Sequence, residues 1–260
     1  MANIHRITRL SVTPVKGLQL HHPSSIELTA NGVAGDRTFV LVDENGRLQS
    51  CTHNQRLLEL RAAYDPARCH LTIRRGSDVV ADGVIRAGGD VRVDLHGLRS
   101  VSATEIADSS WSKFFSDLID KPVRLLRALE PAFDVQPATL IGTASSSELA
   151  RRSCLGNIDA RRFRMLIEFD TDEPHVEDSW DGAILRAGSA VLRGGGPVKR
   201  CAATTRNPEH GEIDLHTLRM ITAYRGRRQT VLGPGATFGT YAEVLEPGTI
   251  NVSDTLSVMK

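Results

Sequence analysis

The chain has 260 residues, enough for one large core or two modest ones. Its 40% hydrophobic and 24% charged content is that of a folded globular protein and argues against disorder. A net charge of +1 leaves no global footprint for nucleic acid or a membrane surface, although local basic clusters could still bind a small anion.

The start, Met1 to Leu10, carries Arg6 and Arg9 and has no signal-peptide core. No run of roughly 18 apolar residues offers a transmembrane helix, so a cytoplasmic protein is expected. From Ile4 to Val101 the pattern predicts short strands between turns: Ile7–Val12, Ser25–Leu28, Thr38–Val42, Leu57–Tyr64, His70–Arg74 and Val91–Val93. Glu44-Asn45-Gly46 and Ala87-Gly88-Gly89-Asp90 read as turns. Many short strands suggest a small barrel or sandwich. Trp111, Phe114, Phe115 and Leu118 then fall at helical spacing, with Ser109 or Ser110 as a cap. Leu125 to Gln136 reads as a connector, and the domains are placed at 1–124 and 125–260. Beyond it, short helices are expected at Ser145–Arg152 and Leu215–Ile221. Strands are expected at Met165–Phe169, Ala190–Leu192, Ala202–Thr205, Thr230–Val231, Thr240–Leu245 and Thr255–Val258. The expected fold class is mainly β (α+β), with a few helices over barrel ends.

Cys51, Cys69, Cys154 and Cys201 are scattered. Without a Cys-x-x-Cys pair a structural zinc site is not expected, and free thiols are. Cys201 stands out. It follows Gly194-Gly195-Gly196-Pro197, read as a flexible loop, and directly follows Lys199 and Arg200, whose charge favours the thiolate. Thr204 and Thr205 come next. The alternative reading is a small buried hydrophobe at the start of a strand. Lys16, in a Pro/Gly turn, and Arg37, ending Gly35-Asp36-Arg37, are candidate anion ligands or else solvated charges. Arg161, Arg162 and Arg164 flank Phe163, and on a strand Arg162 and Arg164 would share a face. They read as an anion cradle or a charged edge strand. Glu177-Asp178-Ser179-Trp180 reads as a loop with Trp180 anchored in the core. Cys51-x-His53 is too isolated to name as a ligand pair, and Ser145-Ser146-Ser147 lacks a nucleophile elbow.

Taken in order, these pieces resemble the MOSC proteins that carry an N-terminal MOSC β-barrel domain, a group that includes the mitochondrial amidoxime-reducing component and bacterial relatives. The resemblance rests on Thr13-Pro14-Val15-Lys16, on Gly35-Asp36-Arg37 with Val42-Asp43 and Gly46, and on Arg162-Phe163-Arg164. It continues through Glu177-Asp178-x-Trp180, Arg200-Cys201-x-x-Thr204-Thr205 with Pro208 and Gly211, and Phe238-Gly239 with Gly248-Thr249-Ile250 and Asp254.

The resemblance implies an N-terminal barrel-like domain followed by a MOSC β-barrel core. It implies a molybdenum pyranopterin cofactor with Cys201 as the metal ligand, a soft thiolate being suited to that metal. Lys16, Arg37, Ser145, Arg162, Arg164, Arg200, Thr204 and Thr205 are the implied cofactor-binding residues. Asn207 stands at the family's catalytic acid. The implied reaction converts an N–O group of a small substrate to N–H. Electrons are expected from a separate donor protein, since the chain has no flavin or nicotinamide fingerprint. Other readings are a cofactor or sulfur carrier, or a metal-free protein using Cys201 as a nucleophile. Four positions depart from the family pattern: Gly17 for Ser, Met165-Leu166 for Pro-Asn, Asn207 for the acid, and Gly142-Thr143-Ala144-Ser145, which keeps only the last serine of its segment.

Overall fold

A computed structural model describes residues 4–95, 97 and 99–259. Seven strands close into a barrel. Around the ring come Ile4–Leu10, Ile167–Phe169, Ala138–Gly142, Thr237–Glu246, Ala190–Lys199, Ile184–Ala187 and Thr255–Val258, which pairs back onto Ile4–Leu10. Every neighbouring pair is antiparallel except Ala138–Gly142 beside Ile167–Phe169. The first strand and the last described strand are thus adjacent, and the barrel draws on both ends of the sequence. Closure removes the unpaired edges that an open sheet exposes. The interior is filled by Ile7, Leu10, Leu140, Ile167, Phe169, Leu185, Leu192 and Leu256, all fully buried.

A small sheet in the order Gly248–Asn251, Ser25–Thr29, Gly32–Val33 adds Ile26, Leu28, Val33 and Ile250 to the barrel core, and the intervening chain forms two further open sheets. One runs in the order Leu48–Gln49, Phe39–Asp43, Val123–Ala128, Arg99–Ile106, Ala87–Leu95. The other is Leu60–Asp65, His70–Arg75, Asp78–Val84. Helix α1, Ser109–Ile119, lays Trp111, Phe115, Leu118 and Ile119 into the core that these sheets share with Phe39, Leu41, Leu60, Leu71 and Ile73. Strand Phe39–Asp43 is buried on both faces, because Val40 and Val42 pack instead with Val93, Val101 and Leu126. Helices α2 (Thr143–Arg152) and α3 (Thr217–Arg225) belong to a further core with Phe163, Met165, Val198, Phe238 and Tyr241.

The mainly β class and the three helices follow the sequence-based expectation. Several local assignments do not. Asp108, not Ser109 or Ser110, caps α1 by accepting from the Ser110 N–H. Arg162-Phe163 lies in a 3-10 turn, Ala160–Phe163, rather than on a strand, because the Asp159 side chain caps it and Arg164 ends it in the left-handed region at φ 51°. Ala202–Thr205 is likewise a 3-10 turn, in which both threonine hydroxyls bond back to carbonyls three residues earlier. Gly194–Gly196 is part of the strand Ala190–Lys199, and Ala87–Asp90 begins the strand Ala87–Leu95. The connector read at Leu125 begins inside the strand Val123–Ala128. Leu57–Glu59 is 3-10 before the strand starts, and Thr230–Val231 sits in a turn. Strands Asp78–Val84, Arg99–Ile106, Ala138–Gly142, Ile184–Ala187 and Gly248–Asn251 carry too little alternation to be read from sequence. Among the described residues no helix is long and apolar enough to cross a membrane.

Candidate functional site

A cavity of about 410 Å³ lies between the two parts of the chain. The N-terminal part of the chain contributes Lys16, Gly17, Arg37 and the loop Ser50 to His53. The C-terminal part contributes Arg162, Arg164, Lys199, Arg200, Cys201 and Tyr241. Each wall is locally fixed. The Lys16 N–H donates to Phe39 O at 2.8 Å, tying the Thr13–Lys16 turn to a core strand. Asp36 accepts from the Thr13 N–H at 2.7 Å and pairs with Arg37, whose own N–H donates to Thr13 O at 2.7 Å. That clasp holds Arg37 in the left-handed region at φ 48°. Gly17 explains itself sterically: at φ 98°, a Cβ there would sit 2.9 Å from Ser50 Cα. The departure from serine therefore accompanies a close approach of the Ser50–Cys51 backbone.

The wall is cationic. Lys16, Arg37, Arg162, Arg164, Lys199 and Arg200 line it, against Asp134 as the acid among the described lining residues. Some charges are met by the protein. The Lys16 ammonium bonds Ala132 O and pairs with Asp134 at 2.6 Å, yet burial outweighs that partner and pushes its pKa down. Arg162 forms a two-pronged pair with Asp214 at 2.6 and 2.7 Å. Arg164 and Arg200 differ. Arg164 donates to Leu18 O at 2.8 Å, and Arg200 donates to Phe163 O and to the Met165 sulfur. Neither makes an ion pair among the described residues, and burial works against the charge of both. Arginine stays protonated regardless, so two half-buried positive charges without an ion-paired carboxylate among the described residues face one cavity. Such an arrangement favours an anion that brings its own charge.

Cys201 is exposed at the end of the strand Ala190–Lys199, with its sulfur 4.0 Å from the Thr52 hydroxyl. Cys51 lines the same cavity but is buried, and burial raises its thiol pKa against the pull of Arg164. Tyr241 is pushed up to about 12, chiefly by burial, and remains a phenol. Cys51, Thr52, Gln136 and Tyr241 were not singled out in the sequence. The dismissed Cys51-x-His53 was the available signal, and it gains meaning only once Gly17 brings that loop to Cys201.

The cavity brings together Cys201, Lys16, Arg37, Arg162, Arg164 and Arg200. It does not include four residues that the sequence pointed to. Ser145 is fully buried, donates to Glu177 at 2.8 Å and accepts from the His175 N–H. The Thr204 hydroxyl is engaged by Cys201 O and by the Thr217 hydroxyl at 2.6 Å, and that of Thr205 by Ala202 O. Asn207 donates to Asp214 at 2.9 Å and accepts from the Glu209 N–H. An acid at 207 would set a second carboxylate against Asp214, which already serves Arg162. Thr204, Thr205 and Asn207 therefore shape the segment that carries Cys201, and Ser145 ties α2 to the His175–Glu177 turn; none of the four forms the cavity surface. Met165 and Leu166, the second departure, add apolar wall. Trp180 is anchored in the barrel core as expected. Among the described residues no group of three or more His, Cys, Asp or Glu could hold a metal by itself.

The fold and the site define a β-barrel protein with a basic, thiol-bearing cavity between its two parts. Residues 4–122 match the MOSC N-terminal beta barrel domain and residues 132–257 match the MOSC domain. The chain belongs to the MOSC proteins that carry this N-terminal domain. It is 22% identical to the mitochondrial amidoxime-reducing component 1 of Homo sapiens, over 98% of this chain and 83% of that protein. The Mus musculus counterpart is also 22% identical, over 98% and 82%. Among solved structures, the YUAD protein from Bacillus subtilis aligns with a TM-score of 0.49 at 11% identity, over 99% of this chain and 97% of that one.

Proposed function

We propose that this chain is a molybdenum-pyranopterin oxidoreductase that converts N–O groups of small substrates to N–H, with electrons from a separate donor protein. The observation that carries this reading is the exposed thiol of Cys201 in a cavity walled by two half-buried arginines, Arg164 and Arg200, that make no ion pair among the described residues. The residues present fit the cofactor. The volume of about 410 Å³ falls within the ~300–1,000 Å³ of small-molecule pockets. Among the described residues the buried Nε of Arg200 and Oε1 of Gln136 have no hydrogen-bond partner, and both residues line the cavity. The Cys201 sulfur would hold the metal, and Arg164, Arg200, Lys16 and Arg37 would hold the pterin phosphate. When bound, the cofactor supplies two-electron chemistry at oxygen.

The chain's own residues bind, orient and deliver protons. Phe133, Leu166, Val198 and Leu232 offer an apolar wall for the body of a substrate. N–O reduction to N–H and water consumes protons, and a positioned acid typically contributes about 10²–10⁴-fold. Asp134, His53 and Tyr241 are the titratable lining groups besides the cations and thiols. Tyr241, held protonated across the physiological range, can donate a hydrogen bond to a substrate oxygen.

Protein made in a cofactor-competent host is expected to carry molybdenum at up to about one atom per chain, as a single thiolate site implies. Cys201→Ala should abolish retention, and the metal-loaded, reduced protein should be oxidised by an amidoxime in a single turnover. Metal analysis that finds none in wild type, while a loaded relative from the same host holds it, overturns the reading. The anion cradle has its own test. Arg37→Ala should lose pterin on gel filtration, whereas Arg74→Ala, on an exposed strand position, should retain it. Equal retention in both would remove Arg37 from the cradle.

A further inference from the structure

We infer that Cys51 and Cys201 form a peroxide-reactive dithiol, in which Cys201 is oxidised first and Cys51 closes an intramolecular disulfide onto it. The two thiols line one cavity, 150 positions apart in sequence and close enough to feel each other's charge, and several contacts hold their carriers together. Thr52, the neighbour of Cys51, reaches within 4.0 Å of the Cys201 sulfur. The Arg206 guanidinium donates to Thr52 O at 3.2 Å, clamping the Cys51 loop to the segment that follows Cys201. Gly211 adds a second clamp: a Cβ there would sit 2.2 Å from Gln55 O, so only glycine lets the two backbones meet this closely. Gly17 presses on the other side, against Ser50 and Cys51 N.

Burial sets the order of events. Cys201 is exposed and open to a solute, whereas Cys51 is 3% exposed and shielded from one. In the first step the Cys201 sulfur attacks the O–O bond of hydrogen peroxide. That bond breaks, one oxygen stays as the sulfenic acid and the other leaves as water. In the second step the Cys51 sulfur attacks the sulfenic sulfur, the S–S bond forms, and a second water leaves. Two thiols and one peroxide give one disulfide and two waters, with two electrons passing from sulfur to peroxide. The sulfurs must close to about 2 Å. Cys201, between the end of a strand and a 3-10 turn, supplies that movement. The disulfide withdraws the thiol that faces the cavity, and a thiol reductant restores it. The chemistry needs no cofactor, so its test is independent of the proposed reductase activity.

The measurement is peptide mapping of the cofactor-free protein after brief treatment with hydrogen peroxide and alkylation. The wild type should lose two of its four thiols and give one bridged species joining the tryptic peptides Leu48–Arg56 and Cys201–Arg206. Dithiothreitol should return both thiols. Cys51→Ser, a near-isosteric change, should lose Cys201 alone and carry it on to the sulfinic acid, which dithiothreitol does not reverse. Bridges to Cys69 or Cys154, no bridge at all, or equal sulfinic acid in wild type and Cys51→Ser would each overturn the inference. Because the bridged peptide is read in the wild type, a folding defect in the variant leaves the test intact.

Discussion

Gly194→Ala is expected to lower stability by about 3 kcal/mol or more, the upper end of what overpacking costs. A Cβ at 194 would lie 1.8 Å from the Trp180 carbonyl oxygen and 2.7 Å from its carbon. Both atoms are backbone, so no rotamer change relieves the contact. The position cannot slide either, because Gly194 N donates to Ala183 O and Gly194 O accepts from the Gly182 N–H, both at 2.9 Å. Trp180 in turn is 3% exposed, with its ring 4.9 Å from that of Phe169 in the barrel core. The strain therefore enters the barrel at the strand that leads, two residues past its end, to Cys201. Equilibrium denaturation of Gly194→Ala beside Gly89→Ala decides the matter, since nothing lies within 4 Å of a Cβ at Gly89. Similar midpoints for the two variants would show that Trp180 yields and that the close approach carries no energy.

The same glycine shows what the sequence holds and what it conceals. Gly194-Gly195-Gly196 announces close backbone approach, but composition alone cannot separate a mobile loop from a strand pressed against its neighbour. The partners, Trp180 O for Gly194 and the Gln136 side chain for Gly195, are remote in sequence. The chemistry-bearing residues were easier to see. A thiol after Lys199-Arg200 and an arginine after Gly35-Asp36 stand out by type, and ordered short motifs tied them to one another. What no motif displays is which cation is already neutralised. Arg162 and Arg164 look alike in sequence, yet one is held by Asp214 and the other meets a backbone carbonyl. Ser145 and Asn207 looked like cavity residues because their motifs abut it. Their side chains turn to Glu177 and Asp214 because those carboxylates need hydrogen-bond donors.

Glu177 should make the fold prefer mild acid. Its carboxyl is fully buried, and burial raises its pKa from 4.5 to about 7 against the Ser145 hydrogen bond. A carboxyl whose folded pKa is raised binds its proton more tightly in the folded state. Its contribution is therefore complete below pH 4.5 and is lost as pH rises through about 7. The gap corresponds to about 3 kcal/mol. His175, two residues away, acts in the opposite sense. Burial pushes it down from 6.5 to about 4, so its contribution is complete above pH 6.5 and is lost as pH falls through about 4. In wild type alone the two overlap and mask each other. The stability of wild type minus that of Glu177→Gln removes every group the two proteins share, His175 included. A glutamine brings N–H donors to the buried site, but their cost is constant with pH and does not enter the slope. Urea denaturation of both proteins should show this difference rising by about 3 kcal/mol from about pH 8.5 to about pH 4.5. A difference that stays flat across that range would mean that Glu177 keeps an ordinary carboxyl pKa, and that the Ser145 bond and the amino end of α2 stabilise its charge as well as water does.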